Sequence, residues 1–195
     1  MPLSSQEYKN YFNSGITSAE YYNSFKAAAE NPEAFVHGSY IPLNWQRVKR
    51  LLKTFKPDSQ QCKAMEQFKN KHYIIAITEF WCGDAAQIIP VLTTLFNNHA
   101  SIFLKLHFRD AHTALIDAHL TGSSRSIPKL IFLNSNFEFQ AEWGPRPKPA
   151  IELVKVLKSN PETAAQYAEH LHKWYAHDHQ QSIVSEINNI LQSIS

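Results

Sequence analysis

One cysteine is placed where a thiol could react. The segment WCGDAAQIIP, Trp81 to Pro90, follows the apolar run HYIIAITEF and reads as the start of a helix. A sulfur in the first turn of a helix faces unpaired backbone N–H groups and the positive end of the helix dipole, both of which favour thiolate over thiol. Asp84 works against this, because a carboxylate in the same turn disfavours a second negative charge, unless its side chain turns outward as an ordinary early-helix residue. Arg146, in the proline-stiffened turn Gly144-Pro145-Arg146-Pro147, is the nearest cation that could compensate if that turn folds beside Cys82.

The other candidates carry less chemistry. Cys62 and Cys82 are the only cysteines, too few for a disulfide framework or a four-cysteine zinc site. Cys62 could resolve a disulfide on Cys82 only if the two Cα atoms lie within about 7 Å; a packed small hydrophobe is the favoured reading. Ten histidines raise a metal hypothesis, above all HLHKWYAHDH from His170 to His179. No two of those four stand three or four apart, the spacing that gathers ligands on one helical turn, so solvated side chains are expected. His112 and His119 are seven apart with no third ligand in view. No metal and no cofactor is expected.

The elements that must hold Cys82 follow from periodicity. Residues 1–57 read as helical, with a capping box at Thr17-Ser18-Ala19-Glu20 and a second helix, WQRVKRLLKTF, capped by Asn44. That second helix has an apolar stripe of ordinary core width beside a cationic face, which predicts packing on the core with the charges solvated. A third helix is expected from residue 58 or 59 to about 70. HYIIAITEF is short, β-branched and aromatic, as a strand buried on both faces should be. A helix follows it, then the strand ASIFLKLHF and a short helix near DAHTALIDAHL. KLIFLN and FEFQAEW, joined by a turn at Ser135-Asn136, form a hairpin. The chain ends in a helix over about 149–157 and one long helix over about 162–191. The apolar residues of that last helix fit packing on its own domain or a dimer seam equally well.

Size and charge bound the function. A chain of 195 residues with 44% hydrophobic content supports one domain with a full core. Nineteen Lys and Arg against seventeen Asp and Glu give no strong field, so a nucleic-acid partner is not expected. No apolar stretch is long enough to span a membrane, and the start MPLSSQEYKN lacks a secretory pattern. A cytoplasmic location without membrane attachment is the expectation.

Three segments in order carry a family resemblance. WCGDAAQIIP resembles the thioredoxin active-site pattern W-C-G-P-C, with its helix proline eight residues after the first cysteine, here Cys82 and Pro90. RSIPKLIFLN resembles the Ile-Pro segment before that family's third core strand. Trp143-Gly144 falls where the family places a glycine beside its substrate groove. The match covers about residues 72–158, and the chain looks closest to bacterial thioredoxin-like proteins with W-C-G-D-A. The resemblance implies an α/β thioredoxin-like fold, a mixed sheet with helices on both faces, over residues 58–160. Helical extensions at 1–57 and 161–195 would flank it. It also implies a cis peptide before Pro128 facing Cys82, and a groove formed by Trp81, Gly83, Asp84, Ile127, Pro128, Trp143, Gly144 and Arg146.

Two departures from the family decide what the site could do. Ala85 stands where the resolving cysteine belongs, and Ala76 where the family has a buried aspartate six residues before the first cysteine. The intramolecular dithiol cycle is therefore absent as a unit, and the Cys82 thiol should be less acidic than in a dithiol thioredoxin. Two functions fit. In one, Cys82 is a monothiol nucleophile that exchanges with a disulfide-containing protein or a low-molecular-weight thiol and is released by an external thiol. In the other, the groove binds a peptide or partner protein and turns nothing over. Iron–sulfur binding by a dimer ranks below both, because the C-G-F-S pattern of monothiol glutaredoxins is absent.

Overall fold

The computed structural model describes residues 3–97 and 99–195. At its centre β1 (His72–Thr78) pairs in parallel with β2 (Ile102–Phe108) and antiparallel with β3 (Lys129–Leu133), which pairs antiparallel with β4 (Phe139–Trp143). The sheet order is β2-β1-β3-β4. Ile74, Ile75, Ala76 and Ile77 of β1 and all of β3 are buried, as continuous apolar strands in mid-sheet should be. The parallel β1–β2 pair needs a crossover, and α5 (Ala85–Phe96) supplies it.

The helix of the crossover is apolar nearly all round, and its side chains from Ala85 to Leu92 are buried. Pro90 lies inside it, and the Thr93 and Thr94 hydroxyls donate to the Pro90 carbonyl one turn later. The helix begins at Ala85, so Trp81, Cys82 and Gly83 belong to the turn that feeds it.

The N-terminal helices α1 (Ser5–Ser14), α2 (Ser18–Glu30) and α3 (Ile41–Thr54) pack closely on this core. The Thr17–Glu20 capping box at α2 is present. Ile16 bridges to Leu106 and so covers part of the β2 edge, while α3 lies against α5. Asn44 is not the cap of α3. The helix starts earlier, at Ile41, with Pro42 in its first turn, and Asn44 is buried inside it. Helix α4 (Ser59–Glu66) ends four residues short of the expected Asn70.

The C-terminal half differs more. After α6 (Thr113–Asp117), the hairpin and α7 (Lys148–Ser159), the single long helix expected over 162–191 is three: α8 (Pro161–Ala164), α9 (Tyr167–Asp178) and α10 (Gln181–Ser193). His179 and Gln180 take left-handed backbone, φ 50° and 65°, and turn the chain between α9 and α10. Leu171, Tyr175, Ile183, Ile187 and Leu191 are buried in the chain's own core, so the stripe is used for internal packing.

Candidate functional site

The β1–α5 turn sets the site. The Cys82 backbone N–H donates to the Glu79 carbonyl, and Ala86 and Ile88 donate back to the Cys82 and Asp84 carbonyls, winding the turn into α5. The Cys82 sulfur lies 3.4 Å from the Ala85 N–H, which points at it, and donates to the Ile127 carbonyl at 3.4 Å. The Ile127–Pro128 peptide is cis, and so is Gly144–Pro145. Cys82 is only 7% exposed.

Asp84 sets the electrostatics. Its carboxylate does not cap α5 and does not turn outward. It is 7% exposed, paired with Arg146 Nη2 at 2.6 Å, and accepts a hydrogen bond from the Tyr175 hydroxyl at 2.9 Å. A buried carboxylate of this kind persists only because both partners meet it. Burial raises the Asp84 carboxyl against the pull of Arg146 and Tyr175. Arg146, which burial alone would depress, is held above its ordinary range by Asp84. Burial, and then the Asp84 charge, push the Cys82 thiol up to about 12. The helix start lowers that value through its N–H groups but does not win. The thiol is less acidic, as expected, and further so than the helix start alone suggested: at neutral pH the sulfur carries its proton.

Around this centre opens a groove of about 1280 Å³. Of the residues expected in it, Trp81, Cys82, Gly83, Asp84, Ile127 and Arg146 line it. Pro128 is buried and does not line it. Gly144 has φ 119° and packs so close that a Cβ there would meet the Pro128 carbonyl oxygen at 2.2 Å; it supports the groove without lining it. Trp143 is corrected as well. It is buried, and its indole N–H donates to Glu186 on α10 at 2.7 Å, away from the groove. That partner, and not a ligand, satisfies its polar edge.

Several wall residues come from elements that carried no motif. Asn44 on α3 donates to the Phe80 carbonyl and accepts from Arg47 Nη1 at 2.7 Å, tying Arg47 to the approach to Cys82. The Arg109 guanidinium lies 4.7 Å from the Trp81 ring centre, a cation–π contact. His172 on α9 sits against Gly83, where a Cβ would come within 2.9 Å of Nε2, and its Nδ1 is 3.1 Å from Gln87 Nε2. Burial, then Arg47 and Arg146, push His172 down to about 4, so it is neutral. The expectation of solvated histidines therefore fails at His172. His119 is buried between the Tyr8 hydroxyl and Glu142, at 2.9 and 2.8 Å. Tyr175 and His172 were legible only as members of an apolar or histidine-rich helix, with no signal that α9 faces Cys82.

Cys62 is exposed, its sulfur 3.8 Å from the Pro57 carbonyl, which corrects the packed reading. Among the described residues no three His, Cys, Asp or Glu side chains converge as metal ligands. No helix among them is long and apolar enough to cross a membrane.

Comparison with known proteins agrees with this architecture. The family model described as thioredoxin matches residues 29–167, most of the chain, and the protein belongs to that family. The match takes in α3, β1, the Cys82 turn, the hairpin and α7. Two solved structures share the fold. One is a Pseudomonas aeruginosa protein of unknown function, with a TM-score of 0.63, 14% identity, and 94% of this chain and 96% of that one covered. The other is an HIV epitope-scaffold, with a TM-score of 0.64, 14% identity, and 96% and 99% covered. No curated protein matches.

Proposed function

We propose that this member of the thioredoxin family is a binding module, which holds an extended peptide or partner segment in the groove beside Ile127 without cycling a disulfide. The observation that carries this reading is the state of Cys82. The thiol is buried, donates to the Ile127 carbonyl and lies beside the buried Asp84 carboxylate. A protonated thiol is a weak nucleophile, and with Ala85 and Ala76 in place no second group activates it or resolves its product. What the family fold still supplies is the concave surface between Trp81, Ile127 and α9.

The test is the rate of Cys82 alkylation by iodoacetamide against pH in the Cys62→Ser protein. Slow alkylation with an apparent pKa above the free-cysteine value of about 8.5 is expected, with no mixed disulfide on mixing with oxidised glutathione at neutral pH. Rapid alkylation with a depressed pKa would overturn the reading.

One observation favours a second reading, monothiol exchange. The Ala85 N–H points at the Cys82 sulfur, and that sulfur forms part of the groove wall. Here the Cys82 thiolate would attack a disulfide, form a bond to one sulfur and release the other as thiolate. An external thiolate would then attack the mixed disulfide and return Cys82. The partner would be a disulfide-containing protein or a low-molecular-weight disulfide, and a stable glutathione adduct on Cys82 in the same experiment supports it.

A further inference from the structure

The groove has two kinds of wall. On one side the segment before and into α3 exposes Phe35 (43%), Val36 (75%), Tyr40 (60%) and Leu43 (55%), and Tyr40 and Leu43 form the lip of the groove itself. His37, in left-handed backbone between Val36 and Gly38, stacks edge-on against Trp81 at 5.3 Å and joins this apolar lip to the Cys82 turn. The rest of the lining is cationic. Arg47, one turn beyond Leu43 on α3, joins Arg109, Arg125, Arg146 and Lys173 there, with Asp84 and Glu169 as the lining carboxylates.

Most of these cations are committed. Arg146 is paired with Asp84, Lys173 with Glu169, Arg125 with Asp117 and Arg109 with Asp110. Arg47 differs. It is half-buried, and among the described residues no carboxylate lies within 4.0 Å of its guanidinium; the Asp84 charge reaches it only at longer range, and its one side-chain hydrogen bond is to the neutral Asn44 amide. Beside it stands neutral His172, with Nε2 against Gly83. If the Gln87 amide donates to Nδ1, as the 3.1 Å contact allows, the proton of His172 is on Nε2, a second donor on the same wall. A half-desolvated guanidinium with only an amide partner is an acceptor-seeking site, because its remaining N–H groups want planar oxyanions.

We infer that the groove recognises an acidic, hydrophobic-flanked segment of a partner protein, its carboxylate received by Arg47 and its apolar side chains laid on the Phe35–Leu43 lip. This rests on the binding reading above and names the class of ligand for it. Size favours a chain segment over a small molecule: 1280 Å³ exceeds the range of about 300–1,000 Å³ typical of small-molecule pockets. Charge favours an acid, and the exposed aromatic and aliphatic lip requires an apolar neighbour for it.

The experiment measures fluorescence anisotropy of three labelled peptides of equal length. One alternates glutamate with leucine and phenylalanine, one has glutamine for each glutamate, and one has lysine. The acidic peptide should bind at least about tenfold more tightly than the glutamine peptide, lose affinity as salt rises toward about 0.5 M, and outcompete the lysine peptide. R47Q should remove about a factor of ten, R47K should restore part of it, and a thermal melt shows that both are folded. Replacing Tyr40 and Leu43 by serine should weaken the acidic and glutamine peptides alike. Equal affinity for the acidic and glutamine peptides, lost in a Trp81→Ala variant, would overturn the acidic preference and leave the groove as a binding site. Binding of none of the three, together with a glutathione adduct on Cys82, would overturn both.

Discussion

At the scale of single residues, the decisive feature is the direction of one side chain. Asp84 follows Gly83 at the entry to α5, where a carboxylate usually caps the helix and faces water. Here it points inward because Arg146 and Tyr175 meet it there. Neither partner is near in sequence, so local rules gave the residue but not its direction. Cys82, Pro90 and the Ile127-Pro128 step were legible because each sits inside a short contiguous pattern. Replacing Asp84 by asparagine removes the charge that burial has already made costly, and the Cys82 thiol should move down from about 12, with faster alkylation at pH 8. The same change leaves Arg146 buried without its anion, which costs about 3–5 kcal/mol. Expected together are a reactive thiol and a lower melting temperature. Unchanged alkylation would show that Asp84 does not govern the sulfur.

At the scale of elements, the strands and α5 were legible and the C-terminal helices were not. β1, β2 and the hairpin announce themselves by dense β-branched and aromatic runs, and α5 by a continuous apolar stretch after a strand. The region after α7 has an apolar stripe with helical spacing throughout, and no glycine or proline marks its break at His179 and Gln180. Tertiary packing imposes the turn, because Leu171 and Tyr175 on one side and Ile183 and Ile187 on the other must all reach the core. Left-handed backbone at a residue with a Cβ costs about 1–2 kcal/mol, and His179 is exposed. His179→Gly should therefore raise stability by about 0.5–1 kcal/mol, allowing for glycine's greater unfolded entropy. An uninterrupted helix would instead lose about 1 kcal/mol to the same change. The sign of the shift in a urea titration decides between the two geometries.

At the scale of the whole molecule, four of the ten histidines are built into the fold: His72, His107 and His119 are buried and His172 is half-buried. His72, His107, His119 and His172 are all depressed chiefly by burial. His107 Nε2 donates to the Tyr11 carbonyl, 2.7 Å away; His119 links Tyr8 of α1 to Glu142 of β4; His172 supports Gly83. They tie α1 to the sheet and α9 to the Cys82 turn, which composition could not reveal, since a histidine is equally at home in water. The sign of their effect follows from linkage. Each folded pKa lies below the unfolded value of about 6.5, so between the two the unfolded chain binds more protons and stability rises with pH. The stabilisation is fully present above about pH 6.5 and is lost as pH falls through that value toward the folded pKa, about 4 for His172. Asp84 and Glu79, raised chiefly by burial, act in the opposite sense, their burden easing as pH falls through their folded values. Because Asp84 shares Arg146 with the surroundings of His172, the measurement must be a difference. Chemical denaturation of the native protein and of His172→Gln at pH 7 and pH 5 supplies it. The native chain should lose more stability between the two pH values, by about 1–2 kcal/mol once partial exposure of the ring is allowed for. Equal losses in both proteins would mean that His172 is already solvated in the folded state and that α9 does not close the groove over Gly83.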